Sequence, residues 1–293
     1  MSRPLRILIS GQNGQVSQAL QHSLKDLGDL IVLGRDQLDL SDPESIRSVV
    51  REIKPDLIIN AAAHTAVDQA ESEPDLAYAI NATSPGIFAE EAAALGIPFI
   101  HYSTDYVFDG SKDGAWTETD TPNPLGVYGS SKRAGEQAIE KAGGQFLILR
   151  TSWVYSLTGR NFLLTMQRLL QEREKLTIVA DQIGAPTWAG TIAQSTRQLI
   201  ERWREGQRVA WGVYHLTASG DTSWFGFAQA IGQELIKAGK PCAKLEPIPS
   251  SAYPTPAARP LNSRLDCSHL QQEWGVSQPD WHDALLECLA QQG

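Results

Sequence analysis

Cysteine and methionine are scarce in this 293-residue chain, with three of the first and two of the second. Cys242, Cys267 and Cys288 are odd in number, late and far apart. They form neither a metal motif nor a disulfide framework, which points to a reducing cytoplasm. Long apolar runs are missing too. No stretch approaches the roughly 20 apolar residues of a membrane span. The start, Met1-Ser2-Arg3-Pro4-Leu5, leads into a strand pattern without the apolar core of a secretion signal. Positive charge is in deficit: 25 Lys and Arg face 34 Asp and Glu, a formal charge of −9. This balance argues against nucleic acid or an anionic membrane as the main partner, while arginines concentrated locally can still hold a small anion. Internal repeats and low-complexity segments are absent as well.

What is present is an alternation of strand and helix patterns. With 42% hydrophobic residues the chain can bury a sizeable core, and two lobes are expected at this length. Leu5-Arg6-Ile7-Leu8-Ile9-Ser10 is a short apolar strand running into Gly11-Gln12-Asn13-Gly14-Gln15-Val16-Ser17. Helix spacing follows at Val16, Leu20, Leu24 and Leu27. Strand, glycine turn and helix make the first unit of a dinucleotide-binding fold. Gly11 permits the tight turn, and Gly14 lets the backbone approach a pyrophosphate on the helix N-terminus. Ser17 replaces the third glycine and is still small enough for close packing. The next strand, 29–33, ends at Gly34-Arg35. NAD-selective sites usually carry an acidic residue there. Here Gly34 leaves room and Arg35 can pair with a 2′-phosphate, which favours NADPH over NADH. Asp39 and Leu40 are placed to contact the adenine edge.

Strands are expected at 5–10, 29–33, 56–60, 97–103 and 145–151, and helices at 14–27, 43–53, 74–95 and 128–142. This is the rhythm of an α/β, Rossmann-like, doubly wound parallel sheet. Residues 60–68, Asn60-Ala61-Ala62-Ala63-His64-Thr65-Ala66-Val67-Asp68, leave the carboxyl end of a strand, the edge where such sheets bind ligands. Beyond Tyr155 the pattern changes. Helices are expected at about 161–170, 189–204, 223–238 and 281–291, with a strand at 212–216 returning to the main sheet. A proline-rich stretch from Ile248 to Pro260 reads as an ordered loop over a site or as a linker. The expected division is a dinucleotide-binding domain over 1–153, rejoined by about 187–220, and a smaller C-terminal α/β lobe over 154–293.

Tyr128-Gly129-Ser130-Ser131-Lys132 places a phenol and an amine one helical turn apart on one face. A free phenol has a pKa of about 10, and an ammonium beside it lowers that value. Thr104 in Ser103-Thr104-Asp105 can hydrogen-bond the same substrate oxygen. The three groups suit carbonyl–alcohol chemistry.

Taken together, these motifs resemble the extended short-chain dehydrogenases/reductases, and within that group the dTDP-4-dehydrorhamnose reductases. The most specific stretches are Ala63-His64-Thr65-Ala66-Val67-Asp68, Ser103-Thr104-Asp105-Tyr106-Val107-Phe108-Asp109-Gly110 and Arg150-Thr151-Ser152-Trp153-Val154-Tyr155. Asp181-Gln182-Ile183-Gly184-Ala185-Pro186-Thr187 and Arg259-Pro260-Leu261-Asn262-Ser263 add to them. The resemblance implies NADPH-dependent reduction at C4 of a dTDP-linked 6-deoxy-4-ketohexose, with a C-terminal lobe that binds the substrate. It implies Tyr128 as proton donor, Lys132 as its tuner and holder of the nicotinamide ribose, and Thr104 as a hydrogen-bond partner of the carbonyl. Gly11, Gln12, Asn13, Gly14, Gln15, Val16, Arg35, Asp39, Leu40, Ala62, Ala63, His64 and Thr65 would hold the cofactor, with Tyr128 and Lys132. Val67, Asp68, Thr104, Asp105, Trp153 and Arg259 would hold the sugar nucleotide, Arg259 at its diphosphate or in a structural ion pair.

Some relatives use carboxylates near the first helix and beyond the Gly-Ala-Pro-Thr turn to bridge dimers through magnesium. Here Gln18-Ala19-Leu20 and Trp188-Ala189-Gly190 carry none, which argues against magnesium and leaves monomer and homodimer open. Two other readings stay open: a reductase of another deoxysugar nucleotide, and a non-catalytic regulatory subunit that keeps the NADP site.

Overall fold

The computed structural model describes residues 4–207 and 210–292. Six strands form one parallel sheet: β1 (Leu5–Ser10), β2 (Gly28–Leu33), β3 (Leu57–Asn60), β4 (Phe99–Thr104), β5 (Phe146–Thr151) and β6 (Gly212–His215). Their spatial order is β2-β1-β3-β4-β5-β6, all pairs being parallel. Because β2 and β3 flank β1 on opposite sides, the chain reverses its winding there, and a crevice opens at the carboxyl ends of these strands. The returning strand expected near 212–216 is β6, laid beside β5.

Successive strand residues face opposite sides of a sheet. Ile7 and Ile9 therefore pack in one core with Leu20 and Leu24 of α1 (Gln15–Leu24) and with Ile192 and Leu199 of a long helix at Ala189–Arg204. Leu8, Ile58 and Phe99 point the other way. They pack against α2 (Pro43–Ile53), α3 (Ser84–Leu95) and α4 (Val127–Ala142) through Ile46, Val50, Phe88 and Ile139.

A further core joins Leu163 and Leu170 of α5 (Phe162–Glu172), Phe227 and Ile231 of the helix at Trp224–Lys237, and Leu285 of the helix at Trp281–Ala290. Three small strand pairs border it, the longest being Lys175–Val179 beside Lys244–Ile248. Among the described residues no helix is long and apolar enough to cross a membrane.

One expected helix is broken. Over 74–95 the chain forms helical Pro74–Tyr78, a wider π turn at Ala79–Thr83, and then α3. Pro85 has no N–H to offer the carbonyl four residues back, that of Asn81, and the regular ladder cannot run through.

Candidate active site

Gly11 adopts φ 91°, a conformation that favours glycine, and a Cβ there would lie 2.9 Å from that of Ala62. Gly14 caps α1 and donates to the Gly11 carbonyl at 2.8 Å. Gly34 leaves space beside Gln12, whose Oε1 a Cβ would meet at 2.9 Å. These close approaches shape a cleft of about 200 Å³ whose walls include Gly11, Arg35, Asp39, Leu40, Ala62 and Ala63. Ile80 of the π turn closes one side. Arg35 is exposed at the rim. Asp39 also reaches the cleft, but its carboxylate accepts from the backbone and hydroxyl of Ser41 at 2.9 and 2.6 Å and shapes its own loop.

The other cofactor candidates are spread around this edge. Gln12 and Asn13 are exposed in the turn, and Val16 lies in the first turn of α1. Gln15 faces the second half of the chain, its Oε1 accepting from Ser156 at 3.0 Å and Asn161 at 2.7 Å. Backbone N–H of His64 donates to Asn81 Oδ1 at 2.8 Å, while the His64 ring lies 3.6 Å from Glu73. Thr65 is exposed.

Thr104 ends β4, and its hydroxyl lies beside the Tyr128 phenol from α4. The Thr104 hydroxyl also donates to Asp105 Oδ1 at 3.0 Å and accepts from Tyr106 N–H at 3.2 Å. Asp105 is buried, and its Oδ2 finds no hydrogen-bond partner. Burial pushes this carboxyl up to about 6, against hydrogen bonding that pulls it down. Burial likewise pushes the Tyr128 phenol up to about 12, with the Thr104 hydroxyl opposing. Lys132 does not counter this rise. Its Nζ donates to the Tyr102 carbonyl oxygen at 2.6 Å and lies 3.0 Å from His101 Nε2. The expected lowering of Tyr128 by Lys132 is therefore absent from this arrangement, because the amine is engaged on β4. Burial pulls Lys132 itself down to about 8.

The substrate candidates divide. Val67 and Asp68 begin the short helix Val67–Ala70. Asp68 accepts from Arg259 at 2.8 Å and from Ala257 N–H at 3.1 Å, which ties the proline-rich stretch to the loop after β3. Asp68 and Arg259 thus bind each other here, and Arg259 Nη1 stays buried without a partner. Trp153 follows β5 with φ 49°, strained backbone for a bulky residue, and its ring stacks on Trp224 with centroids 3.7 Å apart. Among the described residues no group of three or more His, Cys, Asp or Glu could hold a metal ion.

Sequence reasoning did not find Asn81, Asn60 or His101. Asn81 bonds both backbone groups of His64 and the Ser131 hydroxyl, and so joins the loop after β3 to α4. The available signal was a polar residue inside an apolar strand: Ile58-Ile59-Asn60 and Phe99-Ile100-His101.

Comparison with known proteins places this geometry. The family model described as "RmlD substrate binding domain" matches residues 5–293. A dTDP-4-dehydrorhamnose reductase of Escherichia coli K12 is 49% identical, the match covering 97% of each chain. One from Burkholderia thailandensis is 46% identical, with 97% of this chain and 98% of the relative covered. A crystal structure of the Bacillus anthracis dTDP-4-dehydrorhamnose reductase in complex with NADP superposes with a TM-score of 0.91 at 35% identity, covering 98% of this chain and 99% of that one. The chain belongs to the dTDP-4-dehydrorhamnose reductase family, oxidoreductases with a Rossmann-type fold.

Proposed function

We propose that the protein reduces the C4 keto group of dTDP-4-dehydro-L-rhamnose with NADPH and yields dTDP-L-rhamnose. The observation that carries this reading is the juxtaposition of the Thr104 hydroxyl at the end of β4 with the Tyr128 phenol near the carboxyl edge of the sheet, with Lys132 one turn further along α4. The cleft fits a dinucleotide: backbone replaces side chains at Gly11, Gly14 and Gly34, and the α1 N-terminus is open to a pyrophosphate. Arg35 would pair with the 2′-phosphate, while Ala62 and Ala63 would let the cofactor pass close to the backbone. Bound there, NADPH supplies the hydride.

The chain's own residues do the rest. Tyr128, protonated at neutral pH, gives its proton to the alkoxide oxygen that forms at C4. Thr104 hydrogen-bonds that oxygen and holds it against Tyr128. Lys132, once charged and turned toward Tyr128, stabilises the phenolate left behind and holds the nicotinamide ribose. Val67, Asp105 and Trp153 would enclose the hexose, and Asp68 with Arg259 would meet the nucleotide end. In this reading residues 1–153, with the return at 187–220, serve the cofactor, and 154–293 serve the sugar nucleotide. Three free thiols support a cytoplasmic setting.

Following NADPH oxidation with dTDP-4-dehydro-L-rhamnose tests the proposal, and no turnover would refute it. Arg35→Ala should weaken NADPH about ten- to hundredfold, the scale of one charge-assisted hydrogen bond, and leave NADH nearly unchanged. Equal losses for both cofactors would assign Arg35 a structural role.

A further inference from the structure

Beneath the catalytic helix a row of polar side chains follows from the sheet register. Ser10, at the carboxyl end of β1, pairs with Asn60, at that of β3, and Asn60 with His101, in the middle of β4. All three are buried. Their hydrogen bonds can be oriented one after another. Asn60 Oδ1 accepts from the Ser10 hydroxyl at 2.6 Å and from the Ala62 backbone N–H at 3.3 Å. A backbone N–H can only donate, which fixes this atom as oxygen. The amide nitrogen of Asn60 then donates to His101 Nδ1, 3.2 Å away. With Nδ1 an acceptor, neutral His101 carries its proton on Nε2. That N–H meets Lys132 Nζ at 3.0 Å. An ammonium offers three donors and no lone pair. It cannot accept from His101, whereas a neutral amine can, while still donating to the Tyr102 carbonyl.

We propose that His101 is a positioning residue that docks Lys132 as a neutral amine in the cofactor-free protein, and that Lys132 becomes charged by leaving His101 and turning toward Tyr128. The inference rests on the reductase reading, in which Lys132 must reach Tyr128 and the ribose. The groups around Lys132 agree with it. From β4 only the His101 ring and the Tyr102 carbonyl hold the amine. On α4 Tyr128 stands one turn before and Glu136 one turn after. Glu136 is drawn away by Arg150 at 2.8 and 2.7 Å, by Arg133 at 2.9 Å and by Ser103 at 2.6 Å. Burial lowers both Lys132 and His101, Glu136 opposing the first and the Lys132 charge adding to the second.

Two measurements on the cofactor-free protein decide it. Long-range ¹H–¹⁵N correlation of the imidazoles, with His101 assigned through His101→Gln, should show a proton on Nε2 and none on Nδ1 near neutral pH. An Nδ1–H tautomer or an imidazolium would overturn the proposal. Because the tautomer is read in the native protein's own spectrum, a fold defect in the variant appears as wider spectral change and assignment can pass to His101→Asn. ¹³C-lysine titration, with Lys132 assigned through Lys132→Arg, should give a pKa at least about one unit higher in His101→Gln, a tenfold change in proton affinity. Gln can turn an oxygen toward an ammonium, which the fixed imidazole cannot. An unchanged Lys132 titration would also overturn it. Neither readout needs substrate, so loss of the keto-sugar reading and loss of this one are separable. In the active enzyme the alkaline limb of kcat/KM for NADPH, which reports the free protein, should move to higher pH in His101→Gln, a shift that a purely structural role would not produce.

Discussion

Burial pushes the Tyr128 phenol up to about 12 against the pull of the Thr104 hydroxyl, and a proton retained at neutral pH is what a general acid requires. Tyr128→Phe keeps the ring and its edge contact with Tyr106, 5.3 Å between centroids, but has no proton to give. Turnover should fall about 10²–10⁴-fold with NADPH binding retained; near-normal turnover would remove Tyr128 from the role. Asp105 makes a different demand. Its folded value of about 6 lies above the ordinary 3.8. A raised carboxyl binds a proton more readily folded than unfolded. Its favourable contribution is present below the unfolded value and is lost as pH rises through 6. At neutral pH the buried anion costs on the order of 3 kcal/mol. Asp105→Asn keeps an oxygen for the Thr104 hydroxyl and removes the charge. It should melt higher than the native protein at neutral pH, with the gain shrinking as pH falls from about 6 toward 4. A gain independent of pH would trace to packing instead.

At the scale of elements, α4 is seated by what its glycines lack. A Cβ on Gly135 would lie 2.1 Å from the Asn81 carbonyl oxygen, and one on Gly129 would lie 2.1 Å from that of Tyr106. Both obstacles are backbone, so a methyl group forces the helix outward. Gly135→Ala should cost about 1–3 kcal/mol by overpacking and displace Tyr128 and Lys132 together. Melting temperature and turnover should fall in parallel, in contrast to Tyr128→Phe, where only turnover falls. Unchanged melting would mean that the π turn yields. The same contact marks the boundary of what could be read from sequence. Periodicity located β1 to β5, α2 and α4 to within two residues, because each buries a regular apolar face. It could not reveal the π turn at 79–83, which arises from Pro85 and the approach of Gly135, residues 50 positions apart. His101 escaped notice for a related reason. Its partners, Asn60 and Lys132, come from β3 and α4, and a strand's own pattern says nothing of what faces it.

At the scale of the molecule, the half that holds β1 to β5 was more legible than the rest. A parallel sheet buries both faces and writes continuous apolar runs, whereas the second half depends on pairs such as Lys175–Val179 with Lys244–Ile248, five residues each and widely separated in sequence. The proline-rich stretch joins the two halves through Arg259 and Ala257 on Asp68. This contact leads to the last prediction. Arg259 and Asp68 are both partly exposed, and such a pair is worth at most about 1 kcal/mol to folding. A large effect of Arg259→Ala must therefore come from what Arg259 binds, and its buried, unpartnered Nη1 leaves one donor to offer an anion. The diphosphate of a dTDP-sugar is remote from C4, yet its binding energy can press the carbonyl against Thr104 and Tyr128 and lower the barrier. Free 6-deoxy-4-ketohexose should then lose turnover as well as affinity relative to the nucleotide-linked sugar. Arg259→Ala should impair the nucleotide-linked substrate much more than the free sugar, with little change in melting temperature. Steady-state kinetics with the two substrates and the two proteins read this directly. Equal efficiency of the native enzyme with both sugars would sink the requirement for the nucleotide, and equal impairment of both by Arg259→Ala would make Arg259 a structural partner of Asp68 alone.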